Sequence, residues 1–182
     1  MQLVFFLEEL SAKELLKELL PRLVPNHVTL QFVVFEGKQD LEKQLPRKLR
    51  QWHLPDCRFV VLRDRDAGNC YAIKGKLRAL CDDAGREDVL IRIACRELES
   101  WYLGDLASVA KALDAESVAA QQGNRKYREP DALDNPYQEL CRLAPTYQKV
   151  AGSRELGKVM DWKNNHSHSF NVFINGVLGM LE

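Results

Sequence analysis

The sequence has no excess of either charge, because 26 Lys and Arg residues balance 26 Asp and Glu residues. Strong general nucleic-acid binders usually carry a basic excess, since neutralisation of phosphates drives their affinity. The balance therefore counts against tight, unaided binding to DNA. The chain also lacks a GxxxxGK[ST] phosphate loop, a GxSxG elbow and an HExxH pair. These absences argue against a P-loop ATPase and against serine or zinc hydrolase chemistry.

The cysteines include no CxxC pair, and their number is odd and their spacing wide. They are Cys57, Cys70, Cys81, Cys95 and Cys141. This pattern predicts reduced thiols in a cytoplasmic protein rather than a disulfide framework or a zinc site.

The apolar run at the N-terminus ends at Leu7, where two glutamates follow, so it is far too short to span a bilayer. It also has neither a basic region nor a small-residue cleavage site. We therefore expect a first β-strand and no membrane contact, which is consistent with a cytoplasmic protein.

The first half alternates apolar runs with amphipathic segments four times. The predicted strands are 2–7, 28–35, 58–64 and 89–95. A helix follows each strand; the first starts with a capping box of Ser11 and Glu14, the second is disturbed by Pro46, and the fourth begins near Arg96. Such alternation predicts an α/β fold with a mainly parallel sheet and helices on both faces.

After Ala119 the strand period disappears. A polar stretch with two prolines predicts a loop with a short helix, and the tail predicts two short helices joined by a polar turn. We divide the chain into an α/β core, 1–119, and a helical C-terminal region, 120–182, packed together as one structural domain.

Acidic residues follow the strands of the first half. They are Glu8 and Glu9, Glu36, Asp64 and Asp66, and Glu97 and Glu99. The carboxyl ends of parallel strands form the ligand-binding edge of such a sheet, and Asp64 and Asp66 can aim at one volume there. Crowded carboxylates need a proton or a cation, and Mg²⁺ uses such ligands together with phosphate oxygens. The alternative for a DxD turn is ordinary solvated turn chemistry.

The order of a glutamate closing the first strand and DxD closing a later one resembles the Toprim domain of topoisomerases, bacterial primases and OLD-family nucleases. More narrowly, LEELSAKELL, FEGKQDLEKQLPRKLRQW, FVVLRDRDAGNC, RIACRELESWYLGD and HSHSFNVF together resemble the DUF4276 family of small Toprim-like proteins. The resemblance extends along most of the chain. It implies a three-layer Toprim-like sheet.

The resemblance also implies roles for the acidic residues. Glu8 would be the Toprim glutamate, acting as a metal ligand or proton-transfer group, and Asp64 and Asp66 would bind the metal. Either Glu97 or Glu99 would add a further carboxylate. Glu9 stands where Toprim proteins commonly have glycine, whereas Glu36 is followed by Gly37 but comes after the second strand.

These roles imply a Mg²⁺- or Mn²⁺-dependent nuclease acting on DNA or RNA. The resemblance further suggests an effector linked to an ATPase in anti-phage defence. A different class of function is a non-catalytic Toprim-like module that binds an ATPase or another protein, and the oligomeric state is left open.

Several further side chains have two interpretations each. His166 and His168 are either ligands or phosphate contacts, or plain surface residues of a polar turn. Lys149 and Arg154 either bind a phosphate or belong to a solvated loop. The basic run Lys43 to Arg50 either follows a nucleic-acid backbone or forms a charged helix face.

Overall fold

The structure is a computed structural model that describes residues 1–182. A parallel sheet forms its centre, with the strand order β2-β1-β3-β4. The strands are β1 (Gln2–Leu7), β2 (Thr29–Val34), β3 (Cys57–Asp64) and β4 (Leu90–Ala94). The four predicted strands are therefore confirmed to within one residue at each end. Because all strands are parallel, their carboxyl ends share one side of the sheet, which we call the carboxyl edge.

Eight α-helices surround the sheet. They are α1 (Leu10–Leu19), α2 (Lys38–Arg50), α3 (Cys70–Asp83), α4 (Glu99–Leu103), α5 (Leu106–Ala112), α6 (Pro136–Leu143), α7 (Lys149–Val159) and α8 (His168–Gly179). Short 3-10 turns occupy Leu20–Arg22, Glu116–Gly123, Arg125–Tyr127 and Pro130–Ala132. None of the helices combines the length and apolar character that crossing a bilayer would require.

Alternate residues of the central strand β1 face two separate hydrophobic clusters, as the two-residue period of a strand requires. Leu3, Phe5 and Leu7 belong to a cluster that includes α1 and the C-terminal helices. Val4 and Phe6 belong to a second cluster with buried leucines of α2 and α3. Helices thus cover both faces, and the three-layer α/β architecture predicted from the sequence is confirmed.

The C-terminal helices are part of the larger cluster rather than an appendage. On α7, Gly157 approaches α1 so closely that an added Cβ would lie 2.5 Å from the carbonyl oxygen of Leu15. On α8, the ring of Phe173 lies 6.5 Å from that of Phe5 in β1. The region 120–182 therefore covers one face of the sheet, and a single core joins it to the first half.

The helix predicted from Arg96 differs from the observed structure. It begins only at Glu99 and breaks at Gly104, so two helices replace one. A Cβ at Gly104 would lie 2.1 Å from Oδ1 of Asn165, which shows how closely the chain passes there. The next residue, Asp105, caps α5 by accepting a hydrogen bond from the Ser108 backbone N–H at 3.1 Å.

The predicted capping box at the start of α1 is also wrong. Ser11 instead donates to Oε2 of Glu9 at 3.0 Å, and Glu14 accepts from Nε of Arg154 at 2.6 Å. Arg154, which the sequence left open as a phosphate-binding residue, is thus paired with a residue 140 positions earlier. The predicted disturbance at Pro46 is absent, since α2 runs unbroken from Lys38 to Arg50.

Candidate functional site

The centre of the candidate site is formed by Glu8 and Asp64, which follow and end the neighbouring strands β1 and β3. The backbone N–H of Asp64 donates to Oε2 of Glu8 at 3.1 Å. Only 8% of Glu8 and 9% of Asp64 are exposed. Although it is buried, the Asp64 carboxylate has no hydrogen bond and no ion pair within the protein.

Repulsion among carboxylates governs the electrostatics of this centre. Burial raises the pKa of Asp64 well above its usual value, and the charges of Glu8, Glu9 and Glu99 raise it further. Burial also raises the pKa of Glu8, opposed by the hydrogen bond from the Asp64 backbone and supported by the charge of Asp66. A proton or a cation at this position would therefore be stabilised.

Glu99, in the first turn of α4, is the third buried carboxylate. It is 0% exposed, and its Oε1 accepts a hydrogen bond from the Tyr147 hydroxyl at 2.9 Å. Its Oε2 is buried without any hydrogen-bond partner. Burial raises the pKa of Glu99. A proton or a cation would therefore stabilise this side chain, as it would stabilise Asp64.

Cationic side chains surround the carboxylates on two sides. Nζ of Lys149, the first residue of α7, lies 2.6 Å from Oε2 of Glu9. Burial lowers the pKa of Lys149, but the hydrogen bond to Glu9 and the charges of Glu99 and Asp64 outweigh it, so the pKa is raised. On the opposite face, Nε of Arg63 lies 3.9 Å from Oε2 of Glu8.

The Asp66 carboxylate is paired with a lysine, an arrangement that its spacing from Asp64 did not predict. Its backbone adopts a left-handed conformation with φ of 52°. Its carboxylate pairs with Nζ of Lys38 at 2.8 Å, and the side chain is 42% exposed. Among the carboxylates of the site, Glu8 is the one whose pKa the charge of Asp66 raises appreciably, and Asp66 is more exposed than Glu8 or Asp64, so it forms the outer part of the site.

Glu97 has a different environment from Glu99. Its Oε2 accepts a hydrogen bond from the backbone N–H of Tyr137 at 2.9 Å, in the first turn of α6. Such a carboxylate satisfies a free donor at the N-terminus of a helix. Of the two residues after β4, the structure therefore brings Glu99 to Asp64 and gives Glu97 a capping position.

Two features of the donor set bear on a divalent metal. The structure gathers no group of three or more His, Cys, Asp or Glu side chains in an arrangement that would hold an ion. The donors that are present nevertheless suit a hard cation, because Glu8, Asp64 and Glu99 offer only oxygen atoms. Such an ion would satisfy the buried, unpartnered Oε2 of Glu99 and the Asp64 carboxylate, which has no hydrogen bond within the protein.

Sequence reasoning missed the residues that complete the site from distant parts of the chain. Tyr147 and Lys38 carry no local motif, and only the tertiary fold brings them to Glu99 and Asp66. For Lys149 the sequence left open a phosphate contact or a solvated loop, whereas the residue begins a helix and pairs with Glu9. Their only sequence signal was charge or aromatic character.

The fold and the site together define a three-layer α/β protein with a buried carboxylate cluster at the carboxyl edge of a parallel sheet. A family model described as a domain of unknown function, DUF4276, matches residues 7–178, and the chain belongs to this family. No curated protein and no solved structure matches the chain.

Proposed function

We propose that this protein is a Mg²⁺- or Mn²⁺-dependent nuclease that hydrolyses phosphodiester bonds of DNA or RNA. The observation that supports this proposal is the buried Asp64 carboxylate, which has no partner in the protein and lies among Glu8, Glu9 and Glu99. Such repulsion opposes folding, whereas a bound cation would offset it. The Toprim resemblance of the Glu8 and Asp64 positions points the same way.

Each carboxylate has a definite part in this proposal. Glu8, Asp64 and Glu99 would hold the ion. Asp66 would release Lys38 and contribute its negative charge from the outer side of the site. A bound divalent ion would neutralise the charge that develops on the scissile phosphate. Glu8 can also receive or return a proton, because burial raises its pKa toward the working range of a general acid or base.

Lys149 would keep the cluster stable before a metal enters. Its ammonium group pairs with Glu9, and its charge lowers the pKa of both Asp64 and Glu99. The partial compensation allows buried carboxylates to persist in the folded protein without a metal.

A second candidate function is a non-catalytic module that binds an ATPase or another protein partner. The observation that favours it is the pairing of Glu9 and Asp66 with lysines, together with the absence of a three-ligand group. Activation by an ATPase partner in anti-phage defence would join the two proposals, since a partner that displaced these lysines would free the carboxylates.

Cleavage of labelled single- and double-stranded DNA and RNA in Mg²⁺ or Mn²⁺ tests the nuclease proposal. The variants Asp64→Asn and Glu8→Gln should lose cleavage while keeping the fold. Asp88→Asn, which makes the same chemical change at an exposed position, should cleave like wild type. Equal cleavage by Asp64→Asn would mean a contaminating enzyme or another site. No cleavage by wild type, with no effect of metal on its melting, would favour the binding module.

A further inference from the structure

A polar cavity opens beside the carboxylate cluster at the carboxyl edge. It has a volume of about 600 Å³ and lies between the segments after β3 and β4 and the start of α8. Its charged or ionisable lining consists of Arg65, Arg96, His166, His168, Glu129 and Asp131. Arg65 stands between Asp64 and Asp66 in the chain, so the cavity adjoins the carboxylates.

The side chain of Arg65 makes no polar interaction within the protein. The residue is half-buried, yet its guanidinium group has no hydrogen bond and no ion pair, and its Nε is fully buried without a partner. A half-buried arginine in a structural role is normally paired through its planar fork of donors. An anionic ligand in the cavity would supply the missing acceptor.

Arg96 adopts a backbone conformation that disfavours its side chain. Its φ of 65° lies in the left-handed region, which glycine and asparagine adopt at a lower energetic cost. Its carbonyl oxygen accepts from the Asp66 N–H at 2.8 Å, which ties the two loops together. Its guanidinium contacts only Asp134 at 2.9 Å, an 82% exposed side chain, and its buried Nε has no partner. A left-handed arginine whose guanidinium is so poorly paired points to a functional role for its charge.

The two acidic residues of the lining differ in their effect. Asp131 is occupied, since its carboxylate accepts from the Ser167 hydroxyl at 2.6 Å and the Ser169 N–H at 2.7 Å. Glu129 is exposed and unpaired, so its charge opposes an anion. The side chains of His166 and His168 are exposed and have no hydrogen-bond partner, which leaves their ring nitrogens free to contact a ligand.

We propose that this cavity binds a backbone phosphate of the nucleic-acid strand that is cut at the carboxylate cluster. Arg65 and Arg96 would contact the phosphate oxygens, with His166 and His168 at the open side. The proposal rests on the nuclease function and adds to it a phosphate site that holds the strand in register. Arginine suits this task because its planar donors match two phosphate oxygens at once.

Binding of a fluorescent oligonucleotide in EDTA, measured by anisotropy over a salt series, tests the site without cleavage. The double variant Arg65→Gln/Arg96→Asn should bind about tenfold or more weakly, because it loses charge-assisted hydrogen bonds. Its plot of log affinity against log salt should become shallower by about 1 to 2. The matched variant Lys17→Gln/Lys111→Gln removes two charges from exposed positions of α1 and α5, outside the cavity lining, and should bind like wild type.

Two single variants sharpen the result. Arg65→Gln alone should weaken binding without lowering the melting temperature, because Arg65 has no partner to lose. Glu129→Gln should strengthen binding, because it removes a negative charge from the lining.

Equal losses in the two double variants, or none in the site variant, would overturn the proposal. Arg65-dependent binding of a mononucleotide without binding of the oligonucleotide would also overturn it, since the cavity would then take a free phosphate. Arg65-dependent strand binding without metal-dependent cleavage would instead uphold the site and refute the nuclease.

Discussion

Replacement of Asp64 by asparagine should make the metal-free protein more stable. The carboxylate is buried, has no partner and lies among Glu8, Glu9 and Glu99, so its ionised form opposes folding. Asparagine keeps the size of the side chain and leaves the backbone N–H that donates to Glu8 in place. The change therefore removes the repulsion and little else.

The size of the gain follows from the usual cost of a buried unpaired polar or charged group. Such a group costs about 1–3 kcal/mol of folding free energy. For a chain of this length, each kcal/mol shifts the melting temperature by roughly 2–4 °C, so we expect a rise of about 2–12 °C in EDTA at pH 7.

The gain should depend on pH in one direction. The pKa of Asp64 is raised in the folded protein, so its contribution to stability is full below the pKa of the unfolded chain, about 3.9. It is lost as the pH rises through the higher folded-state pKa. The melting curves of wild type and Asp64→Asn should therefore converge below about pH 4 and separate above it.

Differential scanning calorimetry in EDTA and in Mn²⁺ or Mg²⁺ measures both effects. At metal concentrations 100-fold above the dissociation constant, wild type should gain about 2.7 kcal/mol and Asp64→Asn much less. Asp88→Asn, an exposed and unpaired control, should follow wild type throughout. If Asp64→Asn melts below wild type in EDTA at pH 7, the carboxylate is not a source of repulsion and the reasoning fails.

Four further substitutions test other parts of the structure. Glu97→Ala should lower stability by about 0.5–2 kcal/mol in urea unfolding by removing a helix cap, while the metal-induced rise in melting temperature persists. Gly157→Ala should cost about 1–3 kcal/mol in the same assay because its Cβ would meet α1, whereas Gly75→Ala, in open space on α3, should stabilise by about 0.5–1 kcal/mol. Tyr147→Phe should lower the melting temperature, since Glu99 would lose its only side-chain hydrogen bond, and calorimetry should show a loss of about 1–3 kcal/mol.

The sheet was predictable because its signals are local. Each strand is an apolar run whose alternate residues must be buried on two faces, and Leu3 and Val4 show this directly. Helix ends were less predictable where distant residues determine them. Glu14 pairs with Arg154 instead of capping α1, and Gly104 ends α4 where the chain passes Asn165.

The site was predictable only as a set of positions. The rule that parallel strands end at one edge predicted that Glu8 and Asp64 share that edge, whereas their direct adjacency depends on the observed strand order β2-β1-β3-β4. The rule gives no orientation, however, so it could not show that the left-handed turn sends Asp66 toward Lys38. Nor could it separate Glu99 from Glu97, because their partners belong to the C-terminal half.

The position of α7 and Tyr147 late in the chain has a consequence for synthesis on the ribosome. The sheet and its acidic edge are complete in sequence by Glu99, about fifty residues before Lys149 and Tyr147 emerge. Until then Glu9 and Glu99 lack the cation and the hydroxyl that hold them in the finished protein. A nascent or truncated chain thus carries the carboxylates without these partners, so the cluster reaches its final set of contacts only in a chain that has been translated through α7.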